Sequence, residues 1–515
     1  MACVLERSRQ QHGGVPRLRC RYHLGTQGNS DFRTLVWSVQ LRQFPIWRAS
    51  ALVFPVLVFL GVYAVYAPDV PLITPDSEGY LEFAPSRTGG YPFFLALLKP
   101  VVRDLHDYAI AQRSLYAIAI LILCWQLLAT TNSLIVALVA ELALLGNRDL
   151  SLYDINKFHF TILTESIFLS TSALLLACAM AYLRTGTGGR LSLASALAGY
   201  ATAIRPTGLA FFPALVVLAA AAPGRLRLWS RMVIIALCFA GVLALESVYY
   251  RAHHPGPRTS MLSVQMLGKA GMIDVPDAAQ LISSAPQPAR PLQQALETSL
   301  APVRKLISEA PNLPARCWLL VHYETFVEYR FALPERAALV AASGNEGLLE
   351  AAFARLRSGL RDYLRVTGDH LACLWSSAMI SDKEATMLAA YLASHRPLPF
   401  EEALPEFRAT SLPALALRRA MMEGVGIVLL MASLGLIAML VRRRTPSREL
   451  TLAGFCGVTV HAGVVLTALT GVGIARYTEG LWVPIAIGTG MSVLWIYRTC
   501  KNSRVRHAAR LVTTS

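Results

Sequence analysis

Apolar residues occur along this chain in long blocks rather than at the spacing of an amphipathic helix. A hydrocarbon layer about 30 Å thick is crossed by roughly 20 apolar residues in a helix, so blocks of this length predict membrane-spanning helices. The ten blocks are 47–67, 109–129, 133–146, 161–183, 191–204, 207–222, 232–250, 424–441, 450–469 and 481–497. The pattern predicts an all-α polytopic membrane protein with about ten transmembrane helices, although blocks 133–146 and 191–204 are short for a full crossing.

The polar stretches between these blocks divide the chain into segments of different character. A basic N-terminal tail (1–48) precedes an N-terminal transmembrane module (49–250), whose first external loop is 68–108. The module is followed by an extracytoplasmic cap (251–423), C-terminal transmembrane helices (424–498) and a short tail (499–515). In the cap, apolar residues recur every three or four positions, which indicates amphipathic helices. They are Leu349, Phe353, Leu356, Leu360 and Leu364.

The net charge of +16 follows the topology that ten crossings imply. With a cytoplasmic N-terminus, the cytoplasmic segments hold 22 of the 48 Lys and Arg residues but only 3 of the 32 Asp and Glu residues. Basic residues in short cytoplasmic loops are what orients a membrane protein, so no nucleic-acid partner is needed to explain the charge. Arg outnumbers Lys 42 to 6, which is typical of a GC-rich bacterial genome. We therefore expect a bacterial inner-membrane protein whose active site faces the periplasm or exterior.

The nine cysteines show no CxxC spacing, so a zinc or redox motif is not indicated. Two of them, Cys317 and Cys373, lie in the predicted cap, where an oxidising compartment would allow one disulfide. We favour two free buried thiols over that disulfide.

Ionisable residues recur at the outer ends of the predicted helices. Singly, the acids are explained as solvated loop residues and the basic residues as side chains reaching lipid headgroups. Jointly, acids and bases at one level of one face predict a polar cavity. The set comprises Asp76, Glu78, Glu82, Arg113, Asp154, Lys157, His159, Glu165, Arg205, Arg476, Tyr477 and Glu479.

Some ionisable residues lie inside apolar blocks. Glu165 does so next to the outer face, where a buried charge is costly and indicates function. For Glu141, Glu246 and His461 we expect a structural role, as groups that hydrogen-bond between helices.

A polar cavity at this depth suits the transfer of a sugar from a polyprenyl-phosphate donor. Arg and Lys neutralise a phosphate, and Arg does so with two parallel hydrogen bonds. A carboxylate can take the proton of an acceptor hydroxyl as that hydroxyl attacks the sugar. Guanidinium groups then stabilise the charge that develops on the departing lipid phosphate.

Five stretches, in this order, resemble the polytopic C-type (GT-C) glycosyltransferases: PDSEGYLEFA, GYPFFLALL, LTESIFL, GYATAIRPTGLAFFPAL and ARYTEGLWVP. That superfamily includes protein O-mannosyltransferases and lipid A aminoarabinose transferases. The resemblance covers residues 47–250 and, more loosely, 424–497, whereas the cap 251–423 resembles no family that we can name. It implies a GT-C-like fold.

The resemblance also implies roles for individual residues. Asp76 in the first external loop corresponds to the catalytic base, while Arg205 and Arg476 correspond to residues placed for the donor phosphate. Many relatives have adjacent acids in the first loop, but here Ser77 separates Asp76 from Glu78. Glu78 therefore remains a rival base, and the divalent metal that some relatives use stays an open question.

We predict an inverting glycosyltransferase that acts on an extracytoplasmic glycan, lipid or protein acceptor. Asp76 or Glu78 is the expected general base, and the expected phosphate-binding residues are Arg205, Arg476 and Lys157. The expected substrate-binding residues are Asp154, His159, Glu165, Arg113 and Tyr477.

Two other functions fit parts of the pattern. A glycan ligase or polymerase would rely on His322 and Arg330 in the large external segment rather than on an early acid. A transporter or flippase of a lipid-linked glycan would need alternating access, commonly built from repeated halves, and the chain shows no internal repeat. Variants at Asp76 and at Arg330 would separate the first alternative from the glycosyltransferase.

Overall fold

The computed structural model of the protein describes residues 46–66, 71–146, 159, 161–222, 226–256, 261–376, 412–471 and 475–514. The chain divides into two compact units, 1–49 and 50–515, and of the first only residues 46–49 are described. Within these ranges the chain is helical, and its β-structure is limited to one isolated parallel bridge between Leu72 and Thr161.

The helices before the cap alternate between long apolar segments and short pieces. They are α1 Ile46–Tyr66, α2 Pro75–Leu81, α3 Gly90–Leu98, α4 Leu105–Thr131, α5 Leu134–Leu145, α6 Thr164–Thr185, α7 Gly188–Ile204, α8 Phe211–Ala221 and α9 Leu228–His253. A 3₁₀ turn, Pro206–Ala210, joins α7 to α8.

The cap and the C-terminal part are also helical. The cap helices are α10 Leu262–Gly271, α11 Ala278–Ser284, α12 Arg290–Thr298, α13 Ala301–Ser308, α14 Leu313–Tyr329, α15 Leu333–Ser358 and α16 Leu360–Ser376. They are followed by α17 Leu412–Val441, α18 Arg448–Thr470, α19 Ala475–Glu479 and α20 Trp482–Thr514. Gly344 interrupts α15 with a φ of 66°, a conformation that glycine adopts without strain.

In the described part of the chain, six helices are long and apolar enough to cross a membrane. They are Ile46–Val65, Leu105–Thr131, Thr164–Thr185, Leu228–His253, Arg419–Val441 and Arg448–Thr470. Two shorter apolar helices span Leu134–Leu145 and Pro206–Ala221, and the predicted blocks 191–204 and 481–497 fall in α7 and α20, outside those six. The expectation of an α-helical membrane protein is confirmed at this level.

Capping residues explain the sharp reversal between α4 and α5. Asp104 begins α4 by accepting a hydrogen bond from the backbone N–H of Asp107, and Asn132 ends it in the left-handed region at φ 55°. Ser133 then caps α5 by accepting from the N–H of Val136. Because two residues make the whole connection, α4 and α5 lie side by side and pack together.

Contacts between the helices define two sets that meet. In the first, α5, α4, α6, α7 and α9 pack in that order, each against the next. In the second, α18 packs against both α17 and α20. The two sets are in contact at two places. The helix α8 packs on both α9 of the first set and α18 of the second, and α20 packs on α5 and α6.

The cap has a hydrophobic core of its own, formed by α10 to α16. Leu267, Leu292 and Leu320 are among its fully buried residues. The Tyr363 hydroxyl donates a hydrogen bond to the Leu469 carbonyl oxygen over 2.9 Å, which fastens α16 to the end of α18.

One prediction about the cap is wrong, whereas the helices expected around its apolar stripe are present. The stripe is divided between two of them, because α15 ends at Ser358 and Leu360 and Leu364 lie exposed in α16. Cys317 and Cys373 are not free thiols: they form a disulfide between α14 and α16, with the two Cα atoms 5.4 Å apart.

Candidate functional site

The first external loop begins with α2, which carries the predicted base. Its start is fixed by Thr74, whose backbone N–H donates to the Ser77 hydroxyl over 3.0 Å. Asp76 in the first turn is 35% exposed, whereas Glu78 and Glu82 point into solvent. Of the two candidate bases, Asp76 is therefore partly buried in the folded protein, whereas its rival Glu78 is exposed to solvent.

Asp76 is paired with Arg87, a residue to which the sequence analysis assigned no role. Arg87 Nη2 donates to Asp76 Oδ1 over 2.7 Å, and the guanidinium carbon lies 4.7 Å from the centre of the Tyr80 ring. Burial lowers the pKa of Arg87, but the charges of Tyr80 and Asp76 outweigh it and raise that pKa. A side chain at Gly79 would place its Cβ 2.9 Å from Arg87 Nε, so this glycine makes room for the guanidinium.

The end of this loop is fixed to the end of α7. The Thr88 hydroxyl donates to the Ile204 carbonyl oxygen over 2.9 Å. At Gly90 a Cβ would lie 2.6 Å from the carbonyl oxygen of Ala203, so only glycine allows this close approach. Arg87 is thus one residue from a contact with Ile204, which directly precedes Arg205.

The C-terminal end of α9 holds the same loop from another side. Glu246 Oε1 accepts a hydrogen bond of 2.7 Å from the Gly89 backbone N–H, and the Tyr250 hydroxyl donates to the Pro85 carbonyl oxygen over 2.8 Å. The Phe83 ring stacks on Tyr249, with the two centroids 5.4 Å apart. The structural role expected for Glu246 is confirmed.

Glu165 and Arg205 form a buried ion pair, with Arg205 Nη1 and Glu165 Oε1 2.9 Å apart. The side chain of Glu165 is 0% exposed and that of Arg205 is 9% exposed. Their positions follow from the helix ends: Glu165 lies in the first turn of α6, and Pro206 ends α7 directly after Arg205. Charges so deeply buried are destabilising unless they are paired.

The geometry of this pair leaves hydrogen-bonding capacity on the arginine. Nη1 is at ion-pair distance from Glu165, but no described residue accepts a well-aligned hydrogen bond from it. The guanidinium carbon lies 5.5 Å from the Tyr477 ring centre and 5.9 Å from that of Phe168. Arg205 therefore lies close to two aromatic rings, and its Nη1 keeps hydrogen-bonding capacity that the described residues do not use.

Contacts around Tyr91 connect the first loop to this pair. Its hydroxyl donates to Gln112 Oε1 over 2.6 Å, and Gln112 Nε2 donates to the Thr161 carbonyl oxygen over 3.3 Å. The Tyr91 ring lies edge-on to Tyr80 at 5.3 Å. Burial raises the pKa of Tyr91, and the nearby charges of Glu165 and Tyr80 raise it further. Contacts thus join Asp76, Arg87, Tyr80 and Tyr91 in one series, and Glu165, Arg205 and Tyr477 in another.

His159 and Arg113 form a second buried cluster. His159 Nδ1 lies 2.9 Å from the Ser166 hydroxyl, and the imidazole is 4.4 Å from the Tyr116 ring. Burial, together with the charge of Arg113, lowers the pKa of His159 to about 3. His159 is neutral at physiological pH, so it offers a hydrogen-bonding group rather than a cation. Arg113 covers the Tyr63 ring at 5.0 Å.

The other predicted site residues cannot be placed. Asp154 and Lys157 lie outside the described residues. Arg476 lies in α19, but its side chain is outside the described part of the structure. Sequence reasoning missed Arg87, Tyr80 and Tyr91, although the Arg and two glycines of SRTGGY stand out where the chain leaves the membrane.

The residues around Asp76 do not fit a divalent metal. Across the described ranges, no group of three or more His, Cys, Asp or Glu side chains is close enough to hold an ion. Asp76 bonds to the cation of Arg87, and its neighbour Glu78 faces solvent. The polar groups here suit an anion instead.

Two ionisable residues elsewhere in the bundle have buried polar atoms. His461 Nε2 is buried without a hydrogen-bond partner among the described residues, and the imidazole lies 5.4 Å from the Trp375 ring, so the expected interhelical bond is not observed at that nitrogen. Both carboxylate oxygens of Glu141 are buried without a hydrogen-bond partner among the described residues, so the expected interhelical bond is not observed there.

The cap contains a buried charged cluster that the sequence did not indicate. Glu324 Oε1 lies 3.5 Å from Lys269 Nζ, and its Oε2 lies 3.0 Å from His370 Nε2. Burial raises the pKa of Glu324, but the charges of His370 and Lys269 outweigh it and lower that pKa. By contrast, burial and the charge of Glu324 raise the pKa of Glu328 to about 8.

The two residues that a ligase or polymerase would use are separated. His322 stacks on Trp318 in α14, with ring centres 5.1 Å apart, while Arg330 follows the end of that helix. Eight residues along a helix correspond to about 12 Å, so the two side chains start from well-separated points of α14.

Comparison with known proteins assigns neither a family nor a function to the chain. No protein-family model, curated protein or solved structure matches the chain.

Proposed function

We propose that the protein is an inverting membrane glycosyltransferase of the GT-C type, which transfers a sugar from a polyprenyl-phosphate donor to an extracytoplasmic acceptor. The observation that carries the proposal is the buried Glu165–Arg205 pair, beside which the loop of Asp76 is fixed by the hydrogen bond from Thr88 to Ile204. The loop that carries Asp76 and the turn that carries Arg205 are fixed to each other, which supports a site that combines an acid able to accept a proton with a guanidinium able to bind phosphate.

In this reaction an acceptor hydroxyl oxygen attacks the anomeric carbon of the sugar. Asp76 takes the hydroxyl proton as the new carbon–oxygen bond forms. The bond between the anomeric carbon and the phosphate oxygen breaks, and its electron pair leaves on the lipid phosphate. Arg205 stabilises that charge, and Glu165 and the Tyr477 ring hold its guanidinium in place.

The wider organisation of the chain supports this orientation. In the proposed topology ten helices cross the bacterial inner membrane, with α5, α7, the segment 206–221 and the first part of α20 added to the six long apolar helices. Basic residues concentrate in the segments then assigned to the cytoplasm. The Cys317–Cys373 disulfide suits a cap exposed to an oxidising compartment.

A deletion strain tests the function even while the transferred sugar is unidentified. We expect mass spectrometry of cell-envelope glycans and lipids to show the loss of one glycosylated product, which the wild-type gene restores. Asp76→Asn should reach the membrane at a normal level and lower product formation by about 10²–10⁴-fold, since it removes a general base. The matched control, Glu82→Gln, removes an exposed acid of the same loop and should restore the product.

Two results would contradict the proposal. One is an envelope unchanged by the deletion. The other is full restoration of the missing product by the Asp76→Asn variant.

A further inference from the structure

We propose that Arg87 is shared between Asp76 and the donor phosphate, so that donor binding draws Arg87 away from the Asp76 carboxylate and makes that carboxylate a stronger base. This inference rests on the proposed function, and it assigns to Arg87 a binding role for the anionic headgroup of a polyprenyl phosphate. The contact that would be exchanged is the hydrogen bond from Arg87 Nη2 to Asp76 Oδ1, at 2.7 Å.

The pairing with Arg87 makes Asp76 a poor base. A carboxylate that shares a bond with a guanidinium is a weaker proton acceptor than a free one. Asp76 therefore accepts a proton from the acceptor hydroxyl more readily once Arg87 has another anion to bind. Because the donor supplies that anion, the base becomes active only when a sugar is in place.

The surroundings of Arg87 allow its guanidinium to change partners without movement of the backbone. The adjoining residues are fixed: Thr88 bonds to the Ile204 carbonyl and Gly89 to Glu246. The side chain is 22% exposed and rests on the face of Tyr80, a contact that tolerates rotation and sliding of the guanidinium. Gly79 leaves space beside Nε.

The same contacts direct Arg87 toward the phosphate site. The hydrogen bond from Thr88 to Ile204 places Arg87 beside the end of α7, and the residue that follows Ile204 is Arg205. Two guanidinium groups approaching one phosphate from neighbouring segments would each donate paired hydrogen bonds. Arg87 also contacts the base, so it is the residue that couples binding to activation.

Binding experiments with the full-length protein in detergent or nanodiscs test this competition. The probe is polyprenyl phosphate, with uncharged polyprenol and inorganic phosphate as comparison ligands. Asp76→Asn should bind polyprenyl phosphate about two- to fivefold more tightly than wild type, the range that a half-exposed ion pair supports. Arg87→Gln should bind it about tenfold more weakly, since a charge-assisted hydrogen bond is lost.

The double variant is the decisive one. With Arg87 replaced by Gln, the Asp76→Asn change should no longer tighten binding, because the residue for which Asp76 competes is absent. Glu82→Gln and Arg103→Gln are matched controls for the loss of one acid and one base from the same exposed loop, and both should bind like wild type. Thermal unfolding of each variant verifies that it is folded.

The outcomes separate this inference from the proposed function. If wild type prefers polyprenyl phosphate to polyprenol but Asp76→Asn binds no more tightly, or tightens equally without Arg87, the competition is disproved and the glycosyltransferase assignment stands. If wild type shows no preference for the phosphate lipid, both fail. Equal displacement of the lipid by inorganic phosphate at similar concentration would overturn the assignment to a lipid headgroup.

Discussion

At the scale of single residues, the buried charge of Arg205 is the feature of the site that most needs a compensating partner. The guanidinium is 9% exposed, and Glu165, its ion-pair partner, is 0% exposed. Removal of one partner leaves an uncompensated buried charge, whereas removal of both leaves a polar but neutral pair of side chains.

We therefore predict that Glu165→Gln lowers the free energy of unfolding by about 3–5 kcal/mol. The double variant Glu165→Gln/Arg205→Gln should be destabilised less than Glu165→Gln alone. Thermal unfolding in detergent measures both, and Glu78→Gln, an exposed acid, should shift stability by less than about 0.5 kcal/mol. Additive losses in the double variant would show that the two charges do not stabilise each other.

A second residue-scale prediction concerns Glu328 in the cap. Its pKa in the folded protein is about 8, above the ordinary 4.5, because burial and Glu324 disfavour its charged form, while Lys269 and Arg336 partly compensate. The folded state therefore retains a proton that the unfolded state has lost between pH 4.5 and 8. The stability that this proton provides is present below pH 4.5 and is lost as the pH rises toward 8.

Glu328→Gln should remove that loss of stability, which amounts to roughly 5 kcal/mol at most. Thermal unfolding at pH 5.5 and pH 8 should show a smaller pH dependence for the variant than for wild type, and a higher stability of the variant at pH 8. An unchanged pH dependence would contradict the assigned protonation state.

Sequence reasoning recognised some of these residues and not others, for physical reasons. Glu165 was recognisable because an acid within an apolar block is costly, and Arg205 because it lies in the R-P-T-G turn. The pairing of Asp76 with Arg87 could not be recognised from the sequence, because no periodicity relates side chains eleven residues apart in an irregular loop. Nothing in the sequence distinguished the half-buried Asp76 from the exposed Glu78.

At the scale of helices, the apolar blocks predicted that a helix is present better than they predicted where it begins and ends. Block 191–204 corresponds to a helix that begins at Gly188, and block 424–441 to one that begins at Leu412. Polar residues that continue a helix beyond the apolar layer carry no signal in a hydropathy pattern. Helix boundaries in the cap were harder still to predict, since a stripe of apolar residues at helical spacing is divided between α15 and α16 by a break at Gly359.

The disulfide between α14 and α16 gives the element-scale prediction. It closes a loop with a sequence separation of 56 residues, for which the chain-entropy argument gives a stabilisation of about 4 kcal/mol. Cys317→Ser/Cys373→Ser should therefore unfold at a lower temperature than wild type, while Cys238→Ser in α9 should not. Peptide mapping that finds both cysteines alkylated in protein never exposed to a reductant would disprove the disulfide in the native protein.

At the scale of the whole molecule, the account depends on which face of the membrane each segment occupies. In the proposed topology the cap is external and the end of α20 is cytoplasmic. Ser343 in the cap and Cys500 near the end of α20 are both exposed, so they can report on the two sides. The positive-inside pattern predicted this arrangement, but hydropathy alone could not establish how many helices cross.

We predict that a membrane-impermeant thiol reagent labels Ser343→Cys in intact cells. In a background with Cys3→Ser and Cys20→Ser, it should label Cys500 only after the membrane is permeabilised, and Cys500→Ser should abolish that second signal. Labelling of Cys500 in intact cells would mean that the number of crossings is odd or that the orientation is inverted.

The central claim is that Asp76, Arg87, Glu165, Arg205 and Tyr477 surround the phosphate of an isoprenoid carrier. Photocrosslinking with a polyprenyl phosphate that carries its reactive group beside the phosphate tests it most directly. We expect adducts in peptides covering residues 76–91, 161–168, 203–209 and 475–479, suppressed by excess unlabelled polyprenyl phosphate. Adducts confined to the cap or to the basic cytoplasmic loops, or adducts that the unlabelled lipid does not suppress, would contradict the account.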